Sequence, residues 1–193
     1  MIRLATEADL PAILEIYAPY VLHTTVTFEY NVPTLSEFTA RFQKITAQFP
    51  WLVWEEQGKI LGYAYGSAPF ERAAYSWTGE PSIYLAPDAR HKGIGRRLYA
   101  ALEELMKLQG YRLLLAIITE ENANSLAFHV RMGYTFRAQF PACALKFSRW
   151  LGITWMEKEL FSGEIPSKTP IPFPAIVKNN RNFTKILDKM TLS

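Results

Sequence analysis

The chain has 193 residues, 49% of them hydrophobic and 14% aromatic, with a formal net charge of +3. That length suits one domain with a substantial core, and the apolar fraction excludes a disordered chain. The small charge argues against a nucleic-acid partner. The single cysteine excludes a disulfide framework, three scattered histidines argue against a metal, and no apolar run approaches a membrane span.

Residues 2–5 read as a first strand without a charged-then-apolar leader, so a cytoplasmic location is expected. Thr6 sits at a helix start, and Leu10, Ile13, Leu14 and Tyr17 recur at helical spacing to about Val21. Residues 23–33 read as a loop or short extended segment. Thr34, with Glu37 three residues on, predicts a second helix N-cap, and Phe38, Phe42 and Ile45 form its apolar stripe. Segments 51–56 and 60–66 read as strands joined at Gln57-Gly58, a hairpin signal. Residues 67–79 are irregular, and the next strand spans about 80–85.

That strand ends in Ile83, Tyr84 and Leu85 and feeds a short polar loop holding Pro87, Arg90, His91, Lys92 and Gly93. A helix then opens with Ile94, Gly95 and Arg96 and runs to about Leu108, with Gly110 as its stop. A helix N-terminus presents backbone N–H groups without internal partners, at the positive end of the helix dipole. Such a junction is suited to phosphates, and Arg90, Lys92, Arg96 and Arg97 surround it with positive charge. It reads as a pyrophosphate cradle, or as a strand–turn–helix junction whose glycines serve the turn alone. No Gly-Lys-Ser/Thr follows the glycines, and Leu98 stands where a dinucleotide fingerprint needs a third small residue. Both of those nucleotide loops are excluded.

Residues 111–118 form an apolar run expected to be a strand buried on both faces, and 122–132 a helix ended by Gly133. Segments 134–140 and 146–160 complete the strands, and the order predicts a mixed α/β sheet. Beyond 162 the composition changes. Pro166, Pro170, Pro172 and Pro174 predict an extended segment. Phe183, Ile186, Leu187 and Met190 then share one face of a short basic helix. This face is expected to dock on its own subunit or on a dimer mate, a partner-binding or membrane-surface helix being the alternative. The expected division is 1–162 as the main domain and 163–193 as an extension.

Arg90-x-x-Gly93-x-Gly95, following an apolar strand and opening a helix, resembles the acetyl-CoA signature of the GNAT superfamily of N-acyltransferases. Asn122-x-x-Ser125-x-x-Phe128-His129-x-x-x-Gly133-Tyr134 is similar to that superfamily's later helix. The stretch from Arg72 through Tyr75, Trp77 and Glu80 to Ser82 and Tyr84 resembles the Tyr-x-x-Thr-Val-Glu-x-Ser-Val-Tyr segment of phosphinothricin-type acetyltransferases. Lys146 to Leu151 and Trp155-Met156 resemble that group's C-terminal strand pattern. The likeness covers about residues 1–160. Gly79 stands for the usual Val, Ser148 for a Gly and Gly152 for an Asp.

The resemblance implies an α/β (α+β) GNAT fold: a central, mixed, mostly antiparallel twisted sheet, splayed at the acetyl-CoA site and flanked by helices. It implies a homodimeric N-acetyltransferase with acetyl-CoA as co-substrate and no metal. The acceptor would be a small amino-acid-like amine such as phosphinothricin, methionine sulfone or methionine sulfoximine. Ile83, Tyr84, Leu85, residues 90–96, Asn122 and Phe128 are expected along the cofactor. Glu80 matches the group's proposed catalytic carboxylate, which would deprotonate the amine. Desolvation is expected to raise its pKa. Leu85 N–H is expected to meet the oxyanion, and His129 stands where many relatives carry a Tyr acid. Arg72 would pair with a substrate carboxylate, with Phe28, Tyr75 and Trp77 as pocket walls. The alternatives are another small amine or a peptide N-terminus as acceptor, or a non-catalytic acyl-CoA-binding module with Glu80 and His129 structural.

Overall fold

The computed structural model describes residues 1–163, 166, 168–179 and 182–192. Strands β1 (Ile2–Leu4), β2 (Trp51–Glu56), β3 (Lys59–Ser67), β4 (Thr78–Leu85), β5 (Leu113–Thr119), β6 (Thr135–Lys146) and β7 (Arg149–Glu159) form one sheet in the order β1-β2-β3-β4-β5-β7-β6. Helices α1 (Leu10–His23) and α2 (Leu35–Thr46) precede β2, and α3 (Ile94–Gln109) and α4 (Ala123–Arg131) flank β5. Two further helices, α5 (Phe173–Asn179) and α6 (Asn182–Leu192), end the chain.

All neighbouring strands are antiparallel except β4 and β5. That parallel pair holds only at Thr78↔Leu113 and Gly79↔Leu114. Beyond those two positions the sheet splays, which places a cleft at its centre.

Local chemistry accounts for much of the framework. Thr34 caps α2 by accepting from Glu37 N–H while the Glu37 carboxylate takes Thr34 N–H at 2.8 Å, the expected capping box. Gln57 and Gly58 both have positive φ, as a tight hairpin turn between right-twisted strands requires. Strand β2 is buried on both faces. Phe42 of α2 packs on Trp51, and Arg97 of α3 lies 4.3 Å over the ring of Trp54 on the opposite face.

Three expectations change. Lys146 ends β6 instead of opening the last strand, and the turn falls at Phe147 and Ser148. The register shift between Phe140 and Ala144 lets this edge strand absorb Pro141, which has no N–H to give a ladder. Helix α1 extends to His23. The proline-rich segment contains α5, because Pro174 occupies its second position, where a helix needs no N–H donor.

Phe173, Ile176 and Leu187 are buried in the chain's own core, and Phe183, Ile186 and Met190 pack against it. The extension is held at both ends. Gln109 Nε2 donates to the carbonyls of Gln48 (2.7 Å) and Ile171 (2.9 Å). Ile2 N–H, on the free edge of β1, donates to Thr191 Oγ1 at 2.9 Å. Among the described residues no helix is long and apolar enough to cross a membrane.

Candidate functional site

The backbone of β4 shows how the cleft is lined. Ala86 N–H donates to Leu61 O on β3, and Leu113 N–H of β5 donates to Trp77 O. By strand alternation, residues 80, 82 and 84 direct their polar backbone toward β3, and 79, 81, 83 and 85 direct theirs toward β5. Pro81 therefore lacks its N–H at the first position where β5 no longer offers a partner. Ile83 and Leu85 aim theirs across the splay. Leu85 N–H meets only the Tyr20 hydroxyl, at 3.3 Å, while that hydroxyl donates to Leu85 O at 2.6 Å.

Side chains alternate as well. Tyr84 packs edge-on against Tyr17 and Tyr20 of α1, so Glu80 and Ser82 share the α1 face. Glu80 is half-buried at the start of the splay, with no side-chain partner among the described residues, and burial raises its pKa above the ordinary value. Glu80, Ile83, Tyr84, Asn122, Ser125 and His129 line one cleft.

At the far end of β4 the loop turns through Pro87–Ala89 and reaches Gly93, the N-cap of α3, with φ +75°. Nothing lies within 4 Å of a Cβ built there, so the glycine is required by backbone conformation alone. Gly95 serves a different purpose. A Cβ there would stand 3.2 Å from Leu85 Cδ1, so its absence lets α3 lie close against β4. His91, Lys92 and Arg96 are exposed around the helix start. Arg90 turns back, with NH2 3.1 Å from the Tyr20 hydroxyl. Arg97 leaves the cradle for Trp54 and donates to Thr191 O at 3.2 Å, a correction to the charge cluster read from sequence.

Asn122 caps α4, its Oδ1 accepting Ser125 N–H at 3.1 Å; its amide nitrogen has no partner among the described residues. Phe128 packs edge-on to Tyr99 of α3. His129 is buried, with Nδ1 2.8 Å from Ser125 O and Nε2 2.8 Å from the Tyr99 hydroxyl. Burial holds its pKa below the ordinary value, so the ring is neutral near pH 7. Tyr99 was invisible as a site residue in the sequence, since its spacing reads as core.

The loop after α1 crosses the cleft and is pinned from the β6–β7 hairpin. Lys146 Nζ is buried and donates to Thr24 O (2.8 Å) and Thr27 O (2.6 Å), and the hydroxyls of Tyr30 and Thr119 bind Leu145 O and Thr25 O. Phe28 belongs to this half-buried loop, although Val26 is the residue that lines the cleft. Arg72 and Tyr75 stand in a neighbouring cleft of ≈ 410 Å³, beside Phe70 and Tyr111. Trp77 lines neither: its indole N–H donates to Lys168 O at 3.2 Å and holds the C-terminal extension. The structure thus brings Glu80, Ile83, Tyr84, Asn122 and His129 to one cleft, leaves Leu85, Phe128 and residues 90–96 outside its lining, and disperses the expected acceptor residues.

Residues 2–155 match the model of the acetyltransferase (GNAT) domain. The chain is 37% identical over 165 residues to the phosphinothricin N-acetyltransferase of Alcaligenes faecalis, covering 84% of each. It is 39% identical over 163 residues to the L-methionine sulfoximine/L-methionine sulfone acetyltransferase of Pseudomonas paraeruginosa, covering 82% of this chain and 94% of the relative. A crystal structure of the phosphinothricin acetyltransferase of Sinorhizobium meliloti in complex with AcCoA superposes with a TM-score of 0.81 at 37% identity. That match covers 88% of this chain and 92% of the other.

Proposed function

The chain belongs to the GNAT acetyltransferase family and is an acetyl-CoA-dependent N-acetyltransferase, and we propose that its acceptor is a small amino-acid-like amine of the phosphinothricin or methionine sulfone/sulfoximine type. One observation carries the reading. An unpaired, half-buried carboxylate, Glu80, opens the same strand whose far end runs into the N-terminus of α3.

The residues fit acetyl-CoA as co-substrate. The exposed start of α3 offers N–H donors and a positive dipole end to a pyrophosphate, with Lys92 and Arg96 beside it. The missing Cβ of Gly95 faces the Leu85 and Ile83 side chains, so this glycine sets α3 close against β4 beside the cradle. The unpaired polar groups of β4, with the Asn122 amide, line the path a pantetheine arm would follow.

In this reading Glu80 removes a proton from the acceptor ammonium, directly or through a water. Its raised pKa suits a base working near neutrality, and burial without a counter-ion leaves it free to take the proton. Leu85 N–H donates to the oxyanion that develops on the thioester carbonyl, replacing its long bond to Tyr20. His129 stands at the position expected of an acid toward the departing thiolate, with both ring nitrogens already engaged. Arg72 receives the acceptor carboxylate, with Tyr75 and Phe28 flanking. Residues 1–162 act as the catalytic unit and 163–193 as an extension. The family resemblance further supports a homodimer, and the sequence readings of charge, histidine spacing and apolar runs support a cytoplasmic chain with no nucleic acid, membrane or metal partner.

The test is thiol release from acetyl-CoA against a panel of amines. Phosphinothricin and methionine sulfone are expected to give the largest kcat/KM. Faster release with a peptide N-terminus would replace the acceptor assignment. Sedimentation of the purified chain decides the dimer, which a monomer would remove.

A further inference from the structure

His129 borders the cleft, yet neither ring nitrogen is free to meet a ligand there. Nδ1 lies 2.8 Å from the carbonyl of Ser125, which only accepts, so Nδ1 carries the proton. Nε2 is then an acceptor, and the Tyr99 hydroxyl donates to it at 2.8 Å. The Ser125 hydroxyl stands 3.3 Å from Nδ1. With Nδ1 a donor, Ser125 Oγ can only accept on that side, so its own hydrogen is left without an acceptor among the described residues. Ser125 is half-buried and lines the cleft with Glu80.

Behind His129 the polar side chains continue. Tyr99 is fully buried, and the buried Tyr134 hydroxyl stands beside both Tyr99 and Glu103. Glu103 Oε2 receives Lys158 Nζ at 2.6 Å, and Lys158 reaches the surface. The Tyr134 hydroxyl makes no hydrogen bond among the described residues, so the hydrogen-bonded series that starts at the cleft ends at Tyr99.

We propose that Ser125 is the group that hydrogen-bonds the leaving sulfur and passes it a proton, with His129 and Tyr99 as positioning residues behind it. The inference rests on the acetyl transfer described above and adds a residue that touches the substrate. As the carbon–sulfur bond breaks, its electron pair stays on sulfur. The Ser125 proton moves to sulfur, and Ser125 Oγ takes in its place the proton that the acceptor nitrogen still carries after attack. The nitrogen thus loses two protons in all, one through Glu80 to solvent and one to sulfur, and the overall reaction releases one proton. His129 and Tyr99 keep their protons throughout.

The test needs no acceptor amine. CoA bound to the full-length protein is titrated by the ultraviolet absorbance of its thiolate. Ser125→Ala is expected to raise the bound thiol's pKa by about one unit, since a donor to the charged form is lost. Its kcat is expected to fall roughly tenfold or more, with acetyl-CoA affinity unchanged. Ser125→Thr, which keeps the hydroxyl, restores both. Should Ser125→Ala not fold, Ser125→Val against Ser125→Thr gives the same contrast. Equal thiol pKa values with and without the hydroxyl overturn the proposal. Tyr99→Phe, which removes the donor that holds His129 behind Ser125, is expected to lower kcat with acetyl-CoA affinity unchanged; an unaltered kcat removes the positioning role. An amine panel without an active member would fail the acceptor assignment and leave the thiol titration readable.

Discussion

Met106 fills the space that a side chain at residue 79 would take: a Cβ built on Gly79 stands 2.3 Å from Met106 Cε. Helix α3 reaches across the last hydrogen-bonded position of β4 and β5 and packs a flexible thioether where the sheet begins to open. This accounts for the glycine at a place where phosphinothricin-type relatives carry Val. The two positions exchange volume across one contact.

Gly79→Val is expected to cost about 1–3 kcal/mol by overpacking against Met106. Met106→Ala alone should cost about 2–5 kcal/mol through the cavity it leaves. Urea unfolding of the double variant should show a loss smaller than the sum by at least about 1 kcal/mol. Simple additivity would mean that the two residues do not share this space.

Glu80→Gln is expected to lower kcat by roughly 10²–10⁴-fold with acetyl-CoA affinity unchanged. It should also stabilise the protein near neutrality. The folded-state pKa of Glu80 lies above its ordinary value of 4.5, so between the two the folded chain holds more protons than the unfolded one. Stability therefore falls as pH rises through that window, and the charge remains a cost above it. Thermal unfolding of Glu80→Gln should give a higher midpoint at pH 7, and the advantage should vanish below about pH 4.5. A lower midpoint at pH 7 would assign Glu80 a stabilising partner.

Arg72 is exposed and makes no ion pair among the described residues. Arg72→Ala should raise the acceptor KM roughly 10–100-fold, the loss of charge-assisted hydrogen bonds, with the acetyl-CoA KM unchanged. Steady-state kinetics at saturating acetyl-CoA measure it. An unchanged acceptor KM places the carboxylate elsewhere.

Ser148 is held at φ +57° and Phe147 at φ +51° in the β6–β7 turn, a backbone state costly to residues with a Cβ. Ser148→Gly is expected to stabilise the fold by about 0.5–1 kcal/mol. Chemical denaturation reads this directly, and a loss would show that the Ser148 side chain contributes more than its strain.

The third departure, Gly152, is also a compensated one. Glu120 extends from the end of β5 into the place of the missing side chain, where it accepts Gly152 N–H at 3.3 Å and Gln139 Nε2 at 3.0 Å. A carboxylate is thus retained near the position where relatives carry Asp, supplied by another strand. Sequence spacing has no means of showing such a substitution.

Several elements were legible because their causes lie within a few residues. The Thr34–Glu37 box, the Gln57-Gly58 turn and the Asn122 cap each use a side chain or a φ value next to the element they set. The extended β6 and helix α5 were not legible. Pro141 and Pro174 act locally as breakers, and only pairing along β7 and packing against the core keep their segments regular. Arg97 and Trp77 were read by their neighbours in sequence, whereas the side chains turned to Trp54 and to Lys168 O.

The sequence by itself determined the strand–loop–helix cradle, because the left-handed φ at Gly93 and the unpaired N–H groups of a helix start are local properties. Only the tertiary structure decided the cleft and the access to it. The divergence of β4 from β5 begins after two paired positions, and the burial that raises the Glu80 pKa comes from packing around that opening. Tyr99 reaches His129 from a different helix and occupies its Nε2, leaving Ser125 to face the cleft with a free hydrogen. Residue spacing fixes which groups an element presents; which of their atoms remain unpaired depends on contacts between elements distant in the chain.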